Sequence, residues 1–243
     1  MIFQEPMTSL NPVMRIGTQI REIIENHTNA SRNDAKEQGI ELLKSVGIPS
    51  ASETYEKYPH ELSGGMRQRV MIAIAMACNP KLLIADEPTT ALDVTIQAQI
   101  LNLMKKLKDD FDTSIIMITH DLGVVAEMCD RVIIMYAGKI IESADIQTLF
   151  TYPQHPYTNG LINSLPSMSI GKKRLNSIPG NVPTIENRPK GCRFAPRCEF
   201  AMDVCRKKEP PEFSLGESHL SACWLNSNEY INKGKESIHG GTS

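Results

Sequence analysis

The sequence predicts an α/β fold: a helical subdomain and a partial parallel-sheet core, followed by a small cysteine-containing extension. Three observations carry this. Residues 81–86 (KLLIAD) and 114–120 (SIIMITH) are continuous apolar runs, as expected of central parallel strands covered on both faces, and a helical pattern at 94–108 lies between them. Ser63, Gly64 and Gly65 open a nearly all-apolar helix at 66–78, which must be buried. Near Thr151 the composition changes: prolines recur, apolar periodicity fades, and four of the six cysteines gather between Cys192 and Cys223.

Taken in order, residues 16–26 place Ile16, Ile20, Ile23 and Ile24 on one helical face, and residues 33–46 repeat the pattern with Ala35, Ile40, Leu42, Leu43 and Val46. Gly47–Ile48–Pro49 stops the second helix, since proline cannot continue one and glycine suits its end. A polar connection then leads to Ser63. Beyond the second strand, a short helix at 122–129 precedes 131–136 (RVIIMY) and 139–142, which read as a hairpin across Ala137–Gly138. Residues 145–150 form a last helical turn or two. The expected domains are 1–150, 151–226 and a loose polar tail at 227–243, with the second unit stapled rather than built on a large core.

The 243 residues are 41% apolar, and 26 basic residues nearly balance 28 acidic ones. That balance gives no electrostatic reason to expect nucleic acid or an anionic membrane surface. No signal peptide is visible, and no stretch reaches the ~18 uninterrupted apolar residues of a spanning helix. A cytoplasmic protein is the expectation, with cysteines serving as thiols or metal ligands rather than disulfides.

The chemistry concentrates at two places. A hydroxyl and two glycines at a helix start let backbone N–H groups approach an anion closely, where the helix end carries partial positive charge. Leu82–Pro88 is an apolar strand delivering Asp86 and Glu87 to its C-terminal end, where ligands sit in open α/β sheets. One carboxylate can hold magnesium, usually through water, while the other polarises an attacking water in phosphoryl transfer. Acidic residues closing a strand are also common at solvent edges. A lone histidine such as His120 is more often a plain surface or core residue.

Leu62–Ser63–Gly64–Gly65–Met66–Arg67–Gln68–Arg69, Leu83–Thr89, Ala91–Leu92–Asp93 and Thr119–His120–Asp121 together resemble the signature, Walker B, D-loop and switch-histidine motifs of ABC-transporter ATPases, in their usual order. The fold this implies is a partial P-loop NTPase-like ABC ATPase domain. The resemblance gives Ser63, Gly64 and Gly65 contacts to the γ-phosphate of ATP held mainly by an opposite subunit. Asp86 supports Mg2+, Glu87 is the general base, and His120 holds the γ-phosphate and the attacking water. Gln68 and Asp93 join the nucleotide-binding set. Gln4, in Ile2–Phe3–Gln4–Glu5–Pro6, resembles the Q-loop glutamine that approaches magnesium. Met7–Thr8–Ser9–Leu10–Asn11–Pro12 after it matches the oligopeptide and dipeptide importer branch, and the helices beyond it correspond to the subdomain that docks on membrane subunits.

The G-x-x-x-x-G-K-[ST] loop that cradles phosphates does not occur in the sequence. The expectation is therefore a chain truncated before the Q-loop and unable to bind ATP alone, able to contribute its signature to an intact partner's site. The C-terminal part, with His155–Pro156–Tyr157–Thr158, Ile178–Pro183 and Gly191–Cys198, resembles the extension of peptide and nickel importer ATPases. Cys192, Cys198, Cys205 and Cys223, spaced C-x5-C-x6-C-x17-C, correspond to a quartet that binds a four-iron four-sulfur cluster in some members. Zinc, and free or oxidised thiols, remain open for these four. Cys78 and Cys129 read as small core residues.

The resemblance as a whole implies an importer ATPase subunit on the cytoplasmic face of the plasma membrane. Its expected partners are a second ABC ATPase subunit, two permeases and, indirectly, an extracytoplasmic peptide-binding protein, with no nucleic acid. A soluble ABC-type ATPase acting on DNA or ribosomes predicts coiled-coil arms or a basic linker, and neither is visible. A non-catalytic module binding a metal cluster or a partner through the C-terminal unit is the other reading.

Overall fold

The structure, a computed structural model, describes residues 1–5, 9–90, 92–165 and 178–230. Met7 and Thr8 of the importer-type stretch, Ala91 and most of the tail lie outside the described residues. The chain divides into two compact units, Met1–Val124 and Val125–Ser243.

In the first unit, helices α1 (Ile16–His27) and α2 (Arg32–Ser45) pack through the faces their periodicity defines, burying Ile16, Ile20 and Ile24 on one and Ala35, Gly39 and Leu43 on the other. Ser31 starts α2 with a capping box, its hydroxyl accepting from the Asp34 N–H while Asp34 accepts from the Ser31 N–H. The polar connection contains a further short helix, α3 (Ala51–Tyr55). It places the Tyr55 ring between the two longer helices. A Cβ on Gly17 would lie 2.0 Å from Tyr55 Cε1, so the first helix carries glycine where that ring crosses it.

Helix α4 (Gly64–Met76) begins two residues before the apolar pattern does, because Ser63 caps it. Strand β1 (Leu82–Asp86) pairs in parallel with β2 (Ser114–Ile118), and α5 (Val94–Phe111) makes the crossover. The expectation of strands covered on both faces holds for one face only. Leu83 and Ala85 are buried, whereas Leu82, Ile116 and Ile118 on the opposite face are about half exposed. Ile2 adds an isolated parallel bridge to the free side of β1: its N–H donates to Ile84 O and its carbonyl accepts from Asp86 N–H.

After α6 (Leu122–Met128), β3 (Arg131–Tyr136) and β4 (Lys139–Asp145) form the expected hairpin. Ala137 and Gly138 both have positive φ, 48° and 80°, the turn chemistry that matches strand twist. Helix α7 (Ile146–Thr151) starts directly after β4, capped by the Asp145 carboxylate, and α8 (Pro156–Asn163) is capped by the His155 ring. Beyond them come α9 (Asp203–Lys207) and two-residue strands β5 (Phe213–Ser214) and β6 (Leu220–Ser221), which extend the sheet in the order β3-β4-β6-β5. One core joins Val132, Ile134, Tyr136 and Ile141 of the hairpin to Leu149 and to Phe194 from the cysteine segment. The composition shift near Thr151 therefore falls inside this unit.

Buried Glu142 ties three separate segments together. Its carboxylate accepts from the N–H groups of Gln154 and His155 and lies 2.8 Å from His219 Nε2. Arg197 makes a second tie, donating to the carbonyls of Ile178 and Pro179 while stacking over Tyr136 and Phe194.

Candidate functional site

The backbone assembles the first site before any side chain takes part. Strand β1 is flanked by Ile2 on one side and β2 on the other, so the ends of three extended segments meet. Just beyond β1, Glu87 turns through φ +45° and donates its N–H to Ile118 O. A left-handed backbone is uncommon for a residue with a Cβ and clusters at functional positions.

Three donors converge on the Glu87 carboxylate. Gln4 Nε2 and Thr90 Oγ1 each donate to Oε2 at 2.9 Å, and His120 Nδ1 lies 2.9 Å from Oε1. Facing a carboxylate, Nδ1 carries the ring proton. The His120 hydrogen bond, and after it that of Thr90, holds the Glu87 carboxyl below its ordinary range against a small opposing effect of burial. Glu87 is thus ionised at neutral pH, with its side chain 23% exposed. Asp86 ends β1 half-buried, and among the described residues its carboxylate has no hydrogen-bond or ionic partner. It is a free oxygen donor set beside that cluster, which suits a hard cation.

The signature stretch forms a separate surface. Ser63 Oγ accepts from Met66 N–H at 3.3 Å, while Ser63 and Gly64 are exposed. A Cβ on Gly64 would meet nothing within 4 Å, and its φ is not positive. Nothing among the described residues therefore requires glycine there. Gly65 packs against Ile96, in the first turn of α5, where Asp93 Oδ1 accepts from Ile96 N–H at 3.0 Å. The starts of α4 and α5 therefore lie side by side. Gln68 differs from its neighbours in the motif: it is 2% exposed, and its Nε2 donates to Pro88 O at 2.6 Å.

The structure thus brings Gln4, Glu87 and His120 together and sets Ser63, Gly64, Gly65 and Asp93 on adjacent helix starts. Thr90 is a member of the site that sequence reasoning misses; its only signal is its place three residues after Glu87.

In the second unit, Cys192, Cys198, Cys205 and Cys223 line one narrow apolar pocket, together with His155, Phe194 and Trp224. None of the six cysteines is joined in a disulfide. Burial pushes the Cys223 thiol up to about 12 and raises Cys192 and Cys198 as well. Nearby backbone N–H groups oppose that rise at Cys192, Cys198 and Cys223. A Cβ on Gly191 would lie 2.2 Å from Cys205 O, so glycine is what lets the Cys192 and Cys205 segments close together. Among the described residues no three His, Cys, Asp or Glu side chains are gathered tightly enough to hold a single metal ion.

A parallel β1-β2 pair with a carboxylate at its end, a histidine after the second strand and a glycine helix start in the same unit are the arrangement of the ATP-binding-cassette class. Solved members of that class share the fold. The dimeric post-hydrolysis structure of the ATP-binding cassette MJ0796 bound to ADP and Pi is 29% identical with a TM-score of 0.52, covering 60% of this chain and 61% of that one. CbiO1 from Clostridium perfringens, part of the transporter complex cbiONQ, is 28% identical with a TM-score of 0.55, covering 62% and 58%.

The family is narrower. Residues 1–90 match the ABC transporter family, and residues 141–205 match the oligopeptide/dipeptide transporter C-terminal region. Oligopeptide transport ATP-binding protein AppD of Bacillus subtilis is 57% identical over 225 residues, 93% of this chain and 69% of that protein. OppD of the same organism is 55% identical, over 93% of this chain and 63% of its own length. OppD of Haemophilus influenzae is 50% identical, over 95% and 71%. The chain belongs to the ATP-binding proteins of the oligopeptide/dipeptide ABC transporter family, and spans roughly two thirds of the length of these relatives. No helix among the described residues is long and apolar enough to cross a membrane.

Proposed function

We propose that this chain is part of the ATP-hydrolysing subunit of a peptide importer, with Glu87 as the general base. The observation that carries the reading is the convergence of Gln4, Thr90 and His120 on one ionised carboxylate at the end of a parallel strand. Glu87 takes a proton from water as the water oxygen bonds to the γ-phosphorus of ATP. The bond from that phosphorus to the bridging oxygen breaks, leaving ADP and phosphate. His120 orients Glu87 through Nδ1.

Asp86 would hold Mg2+, which supplies charge neutralisation at the phosphates. Ser63, Gly64 and Gly65 would close over a nucleotide held by a second ATPase subunit, and the unexplained glycine at 64 supports an approach from outside the chain. Asp93 would face the same interface. Two permeases and an extracytoplasmic peptide-binding protein complete the assembly. The units proposed are an ATPase part to about residue 150, a C-terminal part to 226 and a tail. Peripheral attachment to the cytoplasmic face of the membrane is a consequence of that assembly.

The four cysteines would hold a polynuclear iron–sulfur group. Four thiols lining one apolar pocket supply the ligand set of such a cluster. When bound, the cluster supplies a covalent staple and a one-electron redox centre.

The test of the ATPase reading is Glu87→Gln in the full-length protein assembled with its permeases. ATP should be bound and retained without turnover. Wild-type turnover would remove Glu87 from the role of base.

A further inference from the structure

Helix α4 buries Val70, Met71, Ile72, Ala73 and Met76, yet Gln68, one turn into it, is as buried as those residues. A buried amide costs free energy unless its hydrogen bonds are made, and an aliphatic side chain would fill the same space without that cost. Its bond goes to one atom, the carbonyl of Pro88, across a separation of 20 residues. Pro88 comes directly after Glu87. Proline fixes its own φ and lacks an N–H, so its carbonyl is the one backbone polar atom by which it can be held.

Around Glu87 the other ties are to the end of β2 and to the segments that leave the sheet. Its N–H goes to Ile118 O, its carbonyl accepts from Thr90 N–H, and its side chain meets Gln4, Thr90 and His120. Gln68 adds the tie to α4, the helix whose first residues are Gly64 and Gly65. From that glycine surface to Gln68 the path is about one rigid helical turn, with a rise near 1.5 Å per residue.

The geometry points to Gln68 as a positioning residue: by holding the Pro88 carbonyl, it keeps the left-handed backbone of Glu87 in register with the signature helix. A displacement of the α4 start, such as a nucleotide on an opposing subunit would cause, then reaches the base of this chain's own site through one hydrogen bond. Gln68 thus has an inward role, distinct from contact with nucleotide. The inference rests on the reading of Glu87 as the base.

The experiment compares Gln68→Met, Gln68→Glu and Glu87→Gln in the full-length protein within the assembled transporter. Gln68→Met keeps the volume and removes the donor. It should lower kcat for ATP about tenfold while KM for ATP moves less than twofold. It should add nothing to the residual single-turnover rate of Glu87→Gln, because both act on one group. Gln68→Glu places a carboxylate against the carbonyl, so its turnover relative to wild type should recover as pH falls and a protonated carboxyl becomes a donor. The inference is overturned if Gln68→Met turns over like wild type, or if its loss multiplies in full on Glu87→Gln. It is equally overturned if Gln68→Met fails to assemble while Gln68→Glu is active with no acid recovery. Unchanged turnover in Glu87→Gln instead strikes the base reading itself.

Discussion

Oε1 of Glu87 lies 2.9 Å from Nδ1 of His120, although the two residues are 33 positions apart and leave different strands. The contact makes His120 the largest influence holding the Glu87 carboxyl below its ordinary range, with Thr90 next. A carboxylate with a depressed pKa stays ionised, and available as a base, until the pH falls through that lowered value.

Replacing Thr90 with Val removes one donor from Oε2 and lets the Glu87 pKa climb toward normal. The acid limb of kcat should then move to higher pH in the assembled transporter. A pH–rate profile whose acid limb coincides with wild type would show that the Thr90 hydrogen bond does not tune the base.

Burial holds the His155 imidazole neutral, its pKa lowered from 6.5 to about 4 against the opposing pull of Glu142. In the unfolded chain this ring takes up a proton near its ordinary pKa; in the native state it does so only near 4. The unfolded state therefore binds more protons across that window, and stability falls as pH drops from about 6.5 to about 4, by an amount on the order of 3 kcal/mol. His155→Asn keeps an acceptor for the Tyr157 N–H that the ring now caps. Denaturant titrations at several pH values should give a flatter dependence for this variant. Parallel curves would mean that His155 is not the group responsible.

Anaerobic purification should yield a coloured protein with about four iron and four sulfide per chain. Cys205→Ser should lose both, and the visible absorption with them. A colourless wild-type product containing zinc would refute the cluster.

Much of the fold and site is legible in the residues because it sits where helices and strands begin or end. Ser63 and Asp93 announce helix starts by residue type, and Asp86 and Glu87 close an apolar run. Asp145 fits the pattern of the last helix, yet it lies just outside as the cap. The features that cannot be read depend on distant partners or on very short elements. The inward turn of Gln68 needs Pro88, the burial of Glu142 needs His219, and β5 and β6 are two residues each, too short for alternation to register. Helix α3 starts from Ser50 at φ 48°, a conformation that residue type does not advertise. The half-open β1-β2 face is a matter of which segments cover it, and a continuous apolar run reads the same either way.

The cap at Ser63 also engages its hydroxyl. By accepting from the Met66 N–H, the oxygen commits a lone pair toward the helix, and the proton is left to point elsewhere. The proton and the second lone pair stay available to whatever approaches from solvent. Beside the bare backbone of Gly64, the exposed corner sits at the positive end of the α4 dipole, where a negative charge is favoured with no basic side chain required.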